Sequence, residues 1–257
     1  MAYLQPLEEM HTTGREVVFY DQLGCGASDY PREDYDWSLE LFLEELDAVR
    51  AAAGIDRCHL LGHGWGGMLA LEHTLREPGG VASLVLSSAI ASVPRWRREL
   101  VPLIKALPDE IRLPLDRHSA AGTAGSPECC CVVDAVLRRN WCRLTPWPDC
   151  LERSHQEARN HPEARNAMLG PNELEPAGLL ADWDVTARLG EISCPTLVVS
   201  GRHDLVTPPM AALLYQGIPG SEWVVFEHSA HVPHLEEPQR YLEVLDGFLE
   251  KAEDAQR

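Results

Sequence analysis

Short apolar runs alternate with longer amphipathic stretches at both ends of the chain. In the N-terminal part, apolar and β-branched runs at residues 16–20, at residues 58–62 and from Ser83 onward predict three strands. Residues 37–53 repeat apolar positions at steps of three and four, which predicts an amphipathic helix, and residues 68–75 predict a second one. Strands and helices in this order predict a parallel sheet that is covered on both faces.

The pattern changes in the middle of the chain. From Val93 onward the sequence has helix-like stretches, many Pro and Trp residues, and no clear strand. The strand and helix alternation returns with predicted strands at 196–201 and 222–227, and with helices near 210–216 and 241–250. An insertion of roughly 85 residues is longer than an ordinary loop and suggests a lid over a pocket. The predicted division is an α/β core at residues 1–92 and 181–257, with a helical cap at residues 93–180.

The chain is strongly acidic. It carries 40 Asp and Glu against 22 Lys and Arg, a formal net charge of −18 over 257 residues. Nucleic acid and anionic membrane surfaces attract basic proteins, so neither is expected as a partner. The first twenty residues contain no secretory signal, and no run approaches the roughly 18 apolar residues of a membrane helix. We therefore expect a soluble, cytoplasmic protein.

Two clusters raise the question of a metal site. The eight cysteines include the adjacent triplet Cys129 to Cys131, which lacks both C-x-x-C pairs and a histidine at ligand spacing. Without an export signal, reduced and mostly buried thiols are expected. His228, His231 and His234 stand at three-residue steps, but Pro233 interrupts a regular helix there and no ligand carboxylate is implied. No metal is therefore expected at either place.

The segment LLGHGWGG, residues 60–67, lies where a predicted strand ends and a helix begins. It has the frame of a nucleophile elbow, G-x-S-x-G, in which a sharp turn lifts a serine hydroxyl above the sheet. Gly62 and Gly66 occupy the flanking positions, which must be small because the turn presses the helix against neighbouring strands. Gly64 stands at the nucleophile position, where it reaches the strained elbow geometry without steric cost.

Two further polar residues follow predicted strands in the C-terminal part. Asp204 lies in GRHDLVTP directly after the strand at 196–201, and His231 follows the next strand. Nucleophile position, acid and base then occur in the order of an α/β-hydrolase triad, each beyond the carboxyl end of a strand. A loop carboxylate that caps a helix remains an alternative for Asp204.

With these motifs the sequence resembles the proline iminopeptidase family of α/β-hydrolases, which includes the tricorn-associated aminopeptidases. The resemblance covers essentially the whole chain. It rests also on YDQLGCGASD at residues 20–29, RRNWCRLTPWP at 138–148, GPNE at 170–173 and DWDVT at 182–186. Members of the family cleave an N-terminal residue, often proline, through an acyl-enzyme and without a cofactor. The resemblance thus implies a small-molecule or short-peptide substrate with a free amine.

The resemblance also implies a role for each matching residue. Asp204 would orient the imidazole, and His231 would act as general base and acid. Trp65 would give its backbone N–H to the oxyanion hole, because it follows the nucleophile position. Glu173 would hold the substrate's ammonium under the cap, although a salt bridge within the cap is an equal alternative for it.

Three departures from the family pattern bear on activity. Gly64 replaces the serine, no H-G-G-P-G loop for the second oxyanion donor is found, and Leu205 stands where relatives often have a glutamate. Loss of a triad nucleophile lowers kcat by about 10⁶-fold, so an impaired or inactive peptidase is expected. Two alternatives stay open. One is a lyase, cyclase or isomerase that uses the His231–Asp204 dyad without an acyl-enzyme, and the other is a non-catalytic ligand-binding protein.

Overall fold

A four-stranded parallel sheet forms the centre of the protein. The computed structural model describes residues 2–32 and 35–255, so residues 1, 33, 34, 256 and 257 of the predicted core lie outside the described residues. The strands follow one another in the sheet in chain order. They are β1 (Cys58–His63), β2 (Val81–Ser87), β3 (Thr196–Gly201) and β4 (Glu222–Phe226). Four of the five predicted strands are confirmed.

Helices connect and cover these strands. In chain order the α-helices of the described residues are α1 (Leu39–Ala52), α2 (Trp65–Arg76), α3 (Val93–Lys105), α4 (Asp109–Ala120), α5 (Pro127–Asn140), α6 (Asp149–Asn160), α7 (Glu163–Leu169), α8 (Pro208–Gly217), α9 (Pro233–Glu236) and α10 (Pro238–Asp254). Shorter 3-10 helices span Ala2–Thr13, Pro78–Gly80, Gly178–Leu180 and Thr186–Glu191. The helix predicted at 37–53 begins two residues later than expected because Ser38 caps it, accepting the Leu41 N–H at 3.1 Å.

The strand predicted at residues 16–20 is wrong. The structure describes this segment without helix or strand. Val17 and Phe19 nevertheless pack against the buried cluster that contains Phe226 and Tyr241. The alternating pattern of this segment therefore reflects which side chains pack against the core. It does not require the backbone to pair with a neighbouring strand.

Successive strand residues bury opposite faces of the sheet. On one face Leu84 and Val198 pack against Leu71 of α2 and Leu214 of α8. On the other face Val85, Leu197 and Val199 pack against Tyr241, Leu245 and Phe248 of α10. All seven residues of β2 are buried, as expected for a central strand of a parallel sheet. The prediction of an α/β fold with both faces covered is confirmed.

Between β2 and β3 the described chain forms five α-helices, α3 to α7, two 3-10 helices and no strand. The two ends of this segment are tied together. Ser92 caps α3 through the Arg95 N–H and also donates its hydroxyl to Asp184 at 2.8 Å. The Val93 N–H donates to the Trp183 carbonyl, and the Val185 N–H donates to the Ala91 carbonyl. The predicted domain boundaries near 92 and 181 remain a prediction, and these contacts lie beside them.

None of the helices in the described ranges is both long and apolar enough to cross a membrane.

Candidate active site

Gly64 alone links β1 to α2. The strand ends at His63 and the helix begins at Trp65, and Gly64 turns the chain with φ 54° and ψ −117°. This positive φ is a conformation that glycine adopts without the steric cost of a Cβ atom. The turn therefore has the sharp strand-to-helix form of a nucleophile elbow.

The close packing around the elbow requires glycine at positions 62 and 67, whereas the sequence predicted positions 62 and 66. A Cβ atom on Gly62 would overlap the backbone of Gly66 and Gly67, so this position requires glycine. A Cβ atom on Gly66 would meet nothing within 4 Å, whereas one on Gly67 would overlap the side chain of Ala89. The close approach of α2 to the end of β2 is thus made at Gly67, and the expectation for Gly66 is wrong.

Asp204 and His231 form a buried hydrogen-bonded pair. The Nδ1 atom of His231 lies 2.8 Å from Oδ1 of Asp204, and the two side chains are 6% and 0% exposed. The same carboxylate oxygen accepts the Val206 N–H at 2.9 Å, which fixes its orientation. With Nδ1–H donating to the carboxylate, the lone pair of the neutral imidazole is left on Nε2.

That Nε2 atom faces position 64. A Cβ atom built on Gly64 would lie 3.2 Å from Nε2 of His231 and 3.7 Å from Cε1. A side chain at position 64 would therefore project directly onto the imidazole. The structure brings Gly64, Asp204 and His231 together at the carboxyl edge of the sheet, although they lie far apart in sequence.

Two backbone contacts hold His231 in this place. Its N–H donates to the carbonyl of Trp141, which ends α5, at 2.9 Å, and the two rings lie 4.2 Å apart. Its own carbonyl accepts Nε2–H of His63 at 2.8 Å. The sequence did not indicate either contact, because the first joins two backbone atoms and the second ends on a backbone carbonyl.

A cavity of about 170 Å³ opens beside this group of residues. Gly64, Trp65 and His231 form part of its wall. The other lining residues come from both the core and the segment between β2 and β3, and most are apolar: Met68, Ser88, Ile90, Trp96, Trp141, Arg165, Leu169, Gly170, Asn172, Glu173, Pro176, Leu205 and Val206. A concave, mainly apolar site with a few converging polar groups is the usual form of a small-molecule site.

Trp65 and Glu173 both line the cavity. Trp65 is the first residue of α2, where a backbone N–H has no intrahelical acceptor. Its indole N–H donates to Gln22 at 3.1 Å. Glu173 pairs with Arg165 at 2.9 Å, with side chains 18% and 35% exposed respectively. Glu173 is thus compatible with both alternatives that the sequence left open. It lines the cavity, as an ammonium-binding residue would, and it forms a salt bridge within the predicted cap.

Comparison with known proteins places these features in a family. The model of the alpha/beta hydrolase family matches residues 2–244. A proline iminopeptidase of Heyndrickxia coagulans is 39% identical, over 91% of this chain and 81% of the relative. A proline iminopeptidase of Saccharolobus solfataricus is 36% identical, over 97% of this chain and 80% of the relative. The chain belongs to the proline iminopeptidase family of α/β-hydrolases.

Two solved structures are similar to this family member over nearly its full length. The crystal structure of VinJ has a TM-score of 0.91 at 38% identity and covers 98% of this chain and 86% of its own. The proline iminopeptidase of Mycobacterium smegmatis has a TM-score of 0.89 at 36% identity and covers 100% of this chain and 87% of its own. The arrangement of core and helices described above is therefore shared with these relatives.

Three buried histidines, His63, His231 and His234, lie close together in this family member. His63 accepts a hydrogen bond from the Tyr3 hydroxyl at 3.1 Å through Nδ1, and His234 donates from Nε2 to the Tyr3 carbonyl at 3.0 Å. Burial, and then the neighbouring His231 and His234, hold the pKa of His63 well below its usual range. Burial also lowers the pKa of His234 to about 4. Both rings are therefore neutral near pH 7.

The structure also shows the surroundings of the histidines and cysteines that were considered as metal ligands. His231 is paired with Asp204, His234 with Tyr3, and His228 is exposed. Residues 2–32 and 35–255 contain no group of three or more His, Cys, Asp and Glu side chains that could hold a metal ion. All eight cysteines, each of them within the described ranges, have free thiols, but only Cys129 and Cys142 are buried. The expectation that most thiols are buried is wrong.

Proposed function

We propose that this chain is a proline iminopeptidase-type hydrolase in which the acid and base of the triad are in place and the nucleophile is missing. Gly64 stands at the nucleophile position, Asp204 orients the imidazole, and His231 is the general base and acid. The single observation that carries this proposal is the 3.2 Å distance between a Cβ atom at position 64 and Nε2 of His231. A serine hydroxyl there would be within hydrogen-bond reach of its base.

The proposed roles follow from where protons can be held. Nδ1–H of His231 is bonded to Asp204 at 2.8 Å, so only Nε2 is free to accept a proton from a nucleophile. The same nitrogen would return that proton to the leaving amine. Trp65 is the proposed oxyanion donor, because its backbone N–H stands at the first position of α2 next to the nucleophile position.

The proposed substrate is a small molecule or short peptide with a free amine, and its amine is received by Glu173. The support for this role is a carboxylate that lines the same mainly apolar cavity as Gly64 and His231. With glycine at position 64, no side-chain oxygen can form the acyl-enzyme. We expect amide hydrolysis to be about 10⁶-fold slower than in a serine-bearing form.

Substitution Gly64→Ser tests this proposal. Proline and alanine arylamides are offered to the purified Gly64→Ser protein, and release of the arylamine is followed. The proposal predicts turnover in Gly64→Ser, and none above background in the parent chain or in Gly64→Ala. Adding His231→Ala to Gly64→Ser should abolish the gain.

The opposite pattern would favour another chemistry. If the folded Gly64→Ser protein stays inert, the peptidase proposal is wrong for this chain. If the parent chain converts a substrate in a manner that depends on His231 and does not improve with serine, the dyad acts without an acyl-enzyme. Ligand stabilisation that is indifferent to His231→Ala would instead indicate a binding protein.

A further inference from the structure

The ionisable groups of the cavity are few. Among the lining residues of the described chain, only Arg165, Glu173 and His231 can carry a charge. The imidazole of His231 is engaged with Asp204. Besides the His231–Asp204 pair, the charges that a bound acyl group meets in this cavity are those of Arg165 and Glu173, which are opposite in sign and paired at 2.9 Å.

Arg165 is held firmly against the carboxylate. Its Nη1 donates to Oε1 of Glu173 at 2.9 Å, and its Nη2 donates to the Pro171 carbonyl and to Asn166 at 3.1 Å each. A guanidinium with several fixed acceptors keeps its position better than a flexible ammonium would. The cation is thus a built part of the cavity wall.

Glu173 is also fixed from the other side. The turn that carries it is closed by the buried Asn172, whose side-chain oxygen accepts the N–H groups of Leu174 and Glu175 at 2.9 and 3.0 Å. The turn fixes the backbone of Glu173, and the carboxylate itself is held by its hydrogen bond to Arg165. A ligand ammonium that approaches Glu173 would also approach the guanidinium, which repels it.

We propose that Arg165 is a specificity-determining residue that screens Glu173, so that the cavity accepts neutral acyl groups about as well as acyl groups with a free ammonium. The inference rests on the proposed function, since it concerns the acyl group that would react at position 64. The substrate class is thereby widened from amino-terminal residues to small amides and esters of similar shape without a basic amine. Leu205 and Val206, both buried and both lining the cavity, add apolar wall that suits such groups.

A pair of ligands of matched shape tests the inference without catalysis. Prolinamide carries a protonated amine, and cyclopentanecarboxamide has the same five-membered ring without it. Their dissociation constants are measured by calorimetry on the parent chain, Arg165→Met, Arg165→Lys and Glu173→Gln. The ratio of the two constants is the readout, because general damage to the cavity weakens both ligands alike.

We expect the parent chain to prefer prolinamide by no more than about threefold, as for a screened, partly exposed ion pair. Arg165→Met should raise this preference to about tenfold or more, because Glu173 is then unscreened. Arg165→Lys keeps the positive charge on a more flexible side chain, so its preference should lie between those of the parent and Arg165→Met. Glu173→Gln should remove the preference or turn it towards the neutral ligand.

The outcomes separate this inference from the proposed function. If the parent already prefers prolinamide tenfold and Arg165→Met leaves the ratio unchanged, the inference is wrong while the hydrolase proposal stands. If neither ligand binds, the cavity is not the acyl site and both are contradicted. If both ligands bind as expected but Gly64→Ser stays inert towards arylamides, the specificity inference survives and the proposed reaction fails.

Discussion

The Nε2 atom of His63 donates a hydrogen bond to the carbonyl oxygen of His231 across 2.8 Å. His63 immediately precedes Gly64, so this hydrogen bond joins the elbow directly to the loop that carries His231. Tyr3 completes the arrangement, because its hydroxyl lies 3.1 Å from Nδ1 of His63 and donates to that nitrogen, whose lone pair is free once Nε2–H is bonded to the carbonyl. The position of His231 relative to Gly64 therefore depends on a histidine that takes no part in the proposed reaction.

Substitution His63→Phe is expected to lower the free energy of unfolding by about 2–4 kcal/mol. The change leaves two groups without a partner, the buried His231 carbonyl and the partly buried Tyr3 hydroxyl, and each carries a desolvation penalty. Urea unfolding followed by tryptophan fluorescence measures the effect. Tyr3→Phe is the matched control, because it leaves only one group, Nδ1 of His63, without a partner and should cost about 1–2 kcal/mol. Equal losses in the two variants would contradict the account.

Acid should destabilise the protein partly through His234. Its folded pKa of about 4 is below the ordinary 6.5 of histidine, so the unfolded chain binds the proton first. The stability that this ring contributes is present above pH 6.5 and is lost as the pH falls towards 4. For this buried ring the loss amounts to at most about 3 kcal/mol.

Unfolding free energies measured between pH 7.5 and pH 4.5 test this titration in the parent chain and in His234→Gln. Glutamine can still donate towards the Tyr3 carbonyl but does not titrate. The free energy of unfolding of His234→Gln should therefore fall less steeply with acid. Parallel curves for the two proteins would show that His234 does not contribute to the acid response.

Gly64→Ala is expected to lower the free energy of unfolding by about 1–2 kcal/mol. Alanine adopts a positive φ only at a steric cost, and its Cβ atom would lie against the imidazole of His231. Gly220→Ala is the control, because Gly220 has φ 71° and a Cβ there would meet nothing within 4 Å. The control isolates the backbone cost. The amount by which Gly64→Ala loses more stability than Gly220→Ala measures the contact with His231. A smaller loss than in Gly220→Ala would contradict the 3.2 Å distance between the Cβ atom and Nε2.

Gly201→Ala should be far more damaging, by more than about 3 kcal/mol. Gly201 ends β3, and a Cβ atom there would overlap the backbone of Ser229 and Ala230, just before His231. Gly190→Ala, where the Cβ atom meets nothing within 4 Å, should be close to neutral. Thermal unfolding of the two variants gives the comparison, and a folded, equally stable Gly201→Ala would disprove the close packing of this loop on β3.

The sequence indicated the parts of the site that local rules determine. Gly64, Asp204 and His231 each follow a buried apolar run, and parallel strands bring the residues after their carboxyl ends to one edge. The contact of Trp141 with His231 could not be read in the same way, since it joins distant segments through a backbone carbonyl. Arg165 lies only eight residues from Glu173, but one carboxylate among 40 acidic residues does not identify its partner. Gly67, and not Gly66, makes the close contact because of how α2 packs against the end of β2. Hydrophobic periodicity does not encode this packing.

The central claim is that a side chain at position 64 is activated by His231. A fluorophosphonate reacts covalently with an activated serine whatever the natural substrate is, so intact mass after incubation tests the claim most directly. The account predicts one added phosphonyl group on Gly64→Ser, none on the parent chain or Gly64→Ala, and a much slower reaction when His231→Ala is added to Gly64→Ser. Folded Gly64→Ser that stays unlabelled, or that is labelled equally fast without His231, would contradict it.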